Sequence, residues 1–145
     1  MMKAAVEEAA SQAAKLNVAR PKLLGVTVLT SLDRADLEST GINADPSDQV
    51  LRLAALAHES GLDGVICSPH EIAALRKQCG PDFVLMVPGI RPVGSAANDQ
   101  KRAMTPRLAV DIGASNLVVG GPIYPAAYRR AAAEAIAREA GVNDL

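Results

Sequence analysis

Three stretches of the chain carry residue types and spacings suited to holding an anion. The first, Val87-Pro88-Gly89-Ile90-Arg91-Pro92-Val93-Gly94, runs on to Asn98-Asp99-Gln100-Lys101-Arg102-Ala103-Met104-Thr105-Pro106, so Arg91, Gln100, Lys101 and Arg102 stand as donors in one connection. It follows an apolar run and precedes a proline-marked helix start. That puts it at the carboxyl end of a strand, the side of a parallel α/β sheet on which ligands bind. An anionic ligand suits these donors; a solvated connection whose charges face water is the plainer alternative. In the second, Val118-Val119-Gly120-Gly121-Pro122-Ile123, paired glycines directly after a short apolar run let backbone amides approach a ligand closely. Phosphate fits such a cradle, although Gly-Gly-Pro also makes an ordinary turn. Position favours phosphate, because the loops after the last two strands of a barrel commonly form that site. The third, Thr27-Val28-Leu29-Thr30-Ser31, offers hydroxyls at a strand end, for a ligand or for local capping.

Other reactive residue types lack the company that chemistry needs. His58 falls mid-helix and His70 in the first turn of another, neither with a neighbouring group to orient it as a base, so surface or capping roles are expected. Cys67 ends a buried run and reads as a small hydrophobe. Cys67 and Cys79 form no C-x-x-C pair and no Cys/His cluster, so no metal site is expected. Asp63 and Asp99 flank strands without a paired lysine. The residues alone name no catalytic group.

The elements that must position these stretches follow from patterning. The chain has 145 residues, 49% hydrophobic and 21% charged, which suits one globular unit over residues 1–145. Fifteen basic and sixteen acidic residues give a net charge of -1, so no positive field gathers nucleic acid or an anionic membrane. Aromatics amount to 2%, namely Phe83, Tyr124 and Tyr128, too few for base-stacking platforms. Acids stand at Glu7 and Glu8, where a signal peptide would be apolar, and no run approaches the length of a membrane span; a soluble cytoplasmic protein is expected.

Residues 2–16 place Met2, Val6, Ala9, Ala13 and Leu16 on one face of a helix. Residues 23–30 are nearly continuously apolar, the pattern of a strand covered on both faces. Shorter apolar runs recur at Gly64-Val65-Ile66-Cys67, Phe83-Val84-Leu85-Met86-Val87 and Leu117-Val118-Val119, separated by helix-length segments. This alternation predicts an α/β fold with a parallel sheet. Asp45-Pro46, Ser68-Pro69, Thr105-Pro106 and Tyr124-Pro125 mark helix starts, since proline at the first helical position has no amide to leave unpaired. Ser68-Pro69-His70-Glu71 is a capping box. Gly61, Gly80, Gly113 and Gly141 mark helix ends, where a left-handed residue closes the last turn. Four strands and five helices result. Four strands cannot close an eight-stranded barrel. Either the sheet is open and doubly wound, or the chain is part of a barrel whose first half is missing.

Several motifs, in their order, resemble the orotidine 5'-phosphate decarboxylase family: Leu29-Thr30-Ser31, Gly61-Leu62-Asp63-Gly64-Val65-Ile66-Cys67-Ser68, Pro88-Gly89-Ile90-Arg91-Pro92, Asp99-Gln100-Lys101-Arg102, Thr105-Pro106 and Val119-Gly120-Gly121-Pro122-Ile123. The resemblance runs over nearly the whole chain but only to the family's carboxyl-terminal half. It implies a partial (β/α)8 barrel of about four parallel strands with flanking helices. It also implies descent from an enzyme that converts orotidine monophosphate to uridine monophosphate and CO2 in pyrimidine biosynthesis, without metal or organic cofactor. The family's catalytic D-x-K-x-x-D motif does not occur here, so no catalytic residue is assigned and the chain alone is expected to be inactive. Matched positions imply nucleotide contacts from Thr30, Arg91 and Gln100, and a phosphate-facing backbone at Gly120. Gly121 departs from the family, which has a phosphate-binding arginine there. A half barrel should form a homo-oligomer or pair with the missing amino-terminal half. The alternative is a non-catalytic phosphate or nucleotide binder derived from the same barrel. A hexulose-phosphate synthase, from the same superfamily, is disfavoured by the Pro-Gly-Ile-Arg-Pro and Asp-Gln-Lys-Arg pair.

Overall fold

Branched, apolar runs too short to bury themselves pair in chain order, each with the next. The structure, a computed structural model, describes residues 1–93 and 103–142. The order is α1 (Met2–Leu16), β1 (Leu24–Val26), α2 (Arg34–Ser39), α3 (Pro46–Glu59), β2 (Gly64–Ile66), a 3-10 turn (Pro69–Glu71), α4 (Ile72–Cys79), β3 (Val84–Val87), α5 (Pro106–Asp111), β4 (Asn116–Leu117) and α6 (Arg129–Glu139). The four strands form one parallel sheet in the order β1-β2-β3-β4. This is the expected α/β arrangement of four parallel strands with flanking helices.

Register divides the sheet into two unlike faces. Gly25, Val65 and Leu85 are aligned across β1, β2 and β3 and face the helices; Val65 and Leu85 are fully buried. A Cβ at position 25 would lie 3.2 Å from Leu62 Cδ2 and 3.5 Å from Ala57 Cβ, a tight fit that glycine avoids. The next row, Val26, Ile66, Met86 and Asn116, points the other way, and Val26 is 61% exposed. The core therefore lies between the sheet and the helices, around Val50, Ala54, Val65, Ile72, Leu75 and Leu85.

The proline and glycine signals position most helix boundaries. Asp45 caps α3 through the Ser47 amide with Pro46 in the first turn, and Ser68 and Glu71 form the expected capping box. Gly61, Gly80, Gly113 and Gly141 have φ of 82°, 83°, 108° and 97°. Three expectations need correction. The strands are shorter than the apolar runs: after β1, the Leu32 amide donates to Leu29 O and the chain turns away. Tyr124-Pro125 starts no helix; the amides of Ile123 and Tyr124 both donate to Gly120 O at 2.9 Å, making a turn, and α6 begins at Arg129. The described residues hold six α-helices rather than five. The additional one, α2, is capped by Asp33 and Asp36, each accepting from the other's amide at 2.9 and 3.1 Å.

Charged groups fasten the amino-terminal ends of the strands. From the last turn of α4, Arg76 donates to Gly80 O, Pro81 O, Phe83 O, Gly113 O and Ser115 Oγ, over distances of 2.5 to 3.1 Å. Ser115 Oγ in turn accepts from the Leu85 amide at 3.0 Å, so one guanidinium ties α4 to the starts of β3 and β4. Asp63, just before β2, accepts from Arg20 Nη2 at 2.5 Å and from the Leu23 amide at 2.7 Å. The Arg20 hydrogen bond, with the Leu23 amide assisting, holds the Asp63 carboxyl below its ordinary pKa. No helix among the described residues is long and apolar enough to cross a membrane.

Candidate functional site at the carboxyl ends of the strands

The connections that carry the candidate residues all leave the carboxyl ends of parallel strands, where strand ends splay and leave space. After β1, Thr30 is largely buried and lines a cavity of about 280 Å³ with Ser31, Val28, Ile66, Cys67 and Pro88. Its lining comes from segments at β1, β2 and β3, so a molecule seated there would touch three strands. Cys67 is fully buried, in keeping with its reading as a small hydrophobe.

After β3, the connection is pinned by a short parallel bridge between Ile90 and Met104. The Arg91 amide donates to Met104 O at 2.9 Å, and the Met104 amide to Gly89 O at 3.2 Å. Gly89 adopts φ 78°, a left-handed conformation that glycine reaches without a Cβ penalty. Ile90 is fully buried, so the loop is anchored by packing as well as by hydrogen bonds. Arg91 is thereby held at the mouth of the sheet, with Nη1 donating to its neighbour Ile90 O at 2.9 Å.

After β4, the turn closed on Gly120 O presents Gly120 and Gly121 at the surface. Among the described residues neither amide has a hydrogen-bond partner. A Cβ at Gly120 would meet none of the described residues within 4 Å; one at Gly121 would lie 3.6 Å from Arg91 Nη2 and 3.8 Å from Arg91 Cζ. Packing therefore brings together two of the three stretches: the Arg91 guanidinium lies directly over Gly121. A cation beside two unpaired amides can receive an anion's charge and its lone pairs together.

Gln100, with Asp99, Lys101 and Arg102, lies outside the described residues. His58 sits at the opposite end of the sheet, its ring edge-on to Phe83 at 5.2 Å, and His70 is exposed. Sequence reasoning missed Arg129, whose Nε donates to Tyr124 O at 2.9 Å while its guanidinium stands 4.7 Å from the centre of the Tyr124 ring. The available signal was a tyrosine five residues before an arginine at the start of a helix.

Parallel strands joined through helices, with ligand-type loops gathered at one end, define an α/β protein of the (β/α)-barrel type. The chain belongs to the orotidine 5'-phosphate decarboxylase / HUMPS family, whose model matches residues 1–136. It is 51% identical over 142 residues to orotidine 5'-phosphate decarboxylase of Paramagnetospirillum magneticum, covering 98% of this chain and 60% of the relative. It is 54% identical over 132 residues to the enzyme of that name from Gluconobacter oxydans, covering 91% and 56%. Among solved structures, orotidine 5'-phosphate decarboxylase from Lactobacillus acidophilus superposes with a TM-score of 0.71 at 41% identity, over 86% of this chain and 51% of that one. An uncharacterized conserved protein from Geobacillus kaustophilus gives 0.76 at 32% identity, over 97% and 58%. The chain thus spans between about half and three-fifths of the relatives it matches.

Proposed function

We propose that residues 1–145 act as one unit corresponding to the carboxyl-terminal half of an orotidine 5'-phosphate decarboxylase barrel, and that this unit holds the ribose-phosphate end of the nucleotide. The reaction of the whole barrel is conversion of orotidine monophosphate to uridine monophosphate and CO2. The observation that carries this reading is the approach of Arg91 to the Gly120-Gly121 turn. Arg91 supplies charge to the phosphate and the two glycine amides supply hydrogen bonds. Thr30, in the 280 Å³ cavity, contacts the nucleoside portion, and Gln100 is assigned to the nucleotide by its place in the Asp99-Gln100-Lys101-Arg102 motif. Charge-assisted contacts of this kind contribute about 1.5 to 3 kcal/mol each. Their value to a decarboxylase lies in binding energy remote from the reacting carbon, which orients the base and stabilises the transition state.

No D-x-K-x-x-D motif occurs in residues 1–145, so the proton donor and carboxylates of the reaction are assigned outside this unit. The unit works in the cytoplasm on a small nucleotide, as a homo-oligomer or paired with an amino-terminal half. Calorimetric titration with uridine monophosphate, beside a decarboxylation assay on orotidine monophosphate, tests the reading. Binding of uridine monophosphate over uridine, without turnover, is expected. Equal affinity for uridine removes the phosphate site, and turnover by the 145-residue chain removes the assignment of the chemistry elsewhere.

Gly121 favours one second reading, a nucleotide binder that has lost catalysis. Supplying the amino-terminal half of a relative in trans separates the two. A working half restores turnover, and a binder does not.

A further inference from the structure

The helix that follows the Gly120-Gly121 turn begins against the usual preferences. Its N-cap, Tyr128, makes no side-chain capping bond, and its first turn holds Arg129 and Arg130 but no acid. Serine, threonine, asparagine or aspartate would satisfy the first amides there, and cations sit unfavourably at the positive end of a helix dipole. Arg130 serves its own helix, donating to Glu134 Oε1 at 2.7 Å one turn on. Arg129 does not, and it meets no carboxylate among the described residues. Instead it reaches back to the turn, with Nε donating to Tyr124 O at 2.9 Å and the guanidinium 4.7 Å from the centre of the Tyr124 ring. A residue that breaks a local rule without helping its own element answers to a demand elsewhere.

Tyr124 is the link from Arg129 to the anion-binding amides. Its own amide, with that of Ile123, donates to Gly120 O at 2.9 Å, so a hold on the Tyr124 carbonyl fixes the closing residue of a turn that Gly120 and Gly121 open. Two consecutive glycines have the widest choice of backbone conformations, and a Cβ at Gly120 would meet none of the described residues within 4 Å. Hydrogen bonds at the far end of the turn therefore do the restraining. Helix α6 is a firm support for them, since its Ile136 is buried and lines one groove with Val119 and Ile123. We propose that Arg129 is a positioning residue for the phosphate turn: through Tyr124 it holds the Gly120 and Gly121 amides in the arrangement an oxyanion meets. The inference rests on the phosphate reading of that turn and adds a residue to it. Arg91 brings charge beside the amides, whereas Arg129 removes conformations in which they point apart, so less ordering is left for the ligand to impose. The Tyr124 ring contributes by stacking on the guanidinium, which keeps Nε aimed at the carbonyl.

Arg129→Met, Tyr124→Ala and Tyr124→Phe test the proposal, each titrated calorimetrically with uridine monophosphate and with uridine at two salt concentrations. Order parameters of the Gly120 and Gly121 amides, from NMR relaxation without ligand, complete the comparison. Both side chains are exposed, so the variants are expected to keep the far-UV circular dichroism of the wild type. Arg129→Met and Tyr124→Ala are expected to lose about three- to tenfold in affinity for uridine monophosphate with uridine unchanged, and Tyr124→Phe, which keeps the ring, to bind as the wild type does. Tyr124→Ala removes no charge and should leave the salt dependence as it was. The double variant should lose no more than the larger single loss, because both side chains act through one hydrogen bond. In the free chain the order parameters of Gly120 and Gly121 should fall in both variants. Order parameters that stay unchanged overturn the proposal. So does a loss of affinity for Arg129→Met with none for Tyr124→Ala, which would mean that the guanidinium acts on the ligand by its charge. A wild type that binds uridine monophosphate and uridine equally refutes the phosphate reading instead, and the hold of Arg129 on the turn is then decided by the order parameters alone.

Discussion

Gly121→Arg isolates the contribution of the turn after β4. Gly121 has no positive φ, and a Cβ there meets Arg91 Nη2 at 3.6 Å, an ordinary contact, so an arginine enters without backbone strain. The site is exposed, and the fold should lose no more than about 0.5 kcal/mol. The new Cβ starts 3.6 Å from Arg91 Nη2, so the two guanidinium groups can approach within about 4 Å of each other. Two such charges about 4 Å apart repel by about 1 kcal/mol in water and by about 4 kcal/mol at an effective dielectric of 20. Exposure puts this pair nearer the first figure, so in the free chain the side chain at 121 swings toward solvent. A phosphate reverses the balance by accepting from both, adding about 1.5 to 3 kcal/mol, or about 10- to 150-fold in affinity. The assay is calorimetric titration of both forms with uridine monophosphate and with uridine, at two salt concentrations. A gain of tenfold or more for the nucleotide alone, shrinking at higher salt, is expected. An unchanged affinity, or an equal gain for uridine, refutes the assignment of Gly120, Gly121 and Arg91 to phosphate.

The amino-terminal ends of the strands give further tests. Arg76→Met keeps the aliphatic stem but removes donors to five acceptors; with some carbonyls free to turn to water, a loss of about 3 kcal/mol is expected as a lower urea midpoint at unchanged slope, and a loss under about 1 kcal/mol contradicts the clamp. Gly64→Ala would set a Cβ 2.0 Å from Val84 O and 2.6 Å from Val84 Cβ, forcing β2 from β3 at a cost of about 3 kcal/mol, whereas Gly120→Ala, which meets nothing within 4 Å, serves as the neutral control; equal effects would remove the steric argument. Because Arg20 lowers the folded pKa of Asp63, its contribution is full above the unfolded value of about 3.9 and fades as pH falls through the lower folded value. The stability gap between the wild type and Asp63→Asn should therefore be widest at neutral pH and narrow below about pH 4, and a gap constant with pH means the hydrogen bond to Arg20 is not its source.

Elements whose signals are local were legible in the sequence. Proline in the first turn and left-handed glycine after the last act within four or five residues, and Asp45-Pro46 and Gly61 bracket α3 accordingly. Where the local signal had a competitor, the reading failed. Tyr124-Pro125 has the form of a helix start, but Gly120 O captures both the Ile123 and Tyr124 amides and spends those residues on a turn. The capping of α2 uses Asp33 and Asp36, without the proline that marked the expected helix starts. Strand length was overestimated because a parallel strand runs only as far as its neighbour pairs with it, which apolar character does not record. The candidate loops were found from their residue types. That Arg91 covers Gly121 was not, since it depends on how β3 and β4 register, and Arg76 was missed because all but one of its acceptors are backbone carbonyls that no side-chain motif announces.

The open space around Gly120 bears on how such a chain changes over generations. The guanidinium of Arg76 and the Arg20–Asp63 pair secure the strands at one end, while at the other a Cβ at Gly120 would meet none of the described residues within 4 Å and one at Gly121 would meet Arg91. On the proposed phosphate assignment, mutations in the turn are screened by ligand and those at the clamp by folding. A lineage can try arginine, glycine or a bulkier residue after β4 without endangering the molecule that carries the trial. That separation of risks makes the turn a place where affinity for an anion can be lost, regained or redirected one substitution at a time.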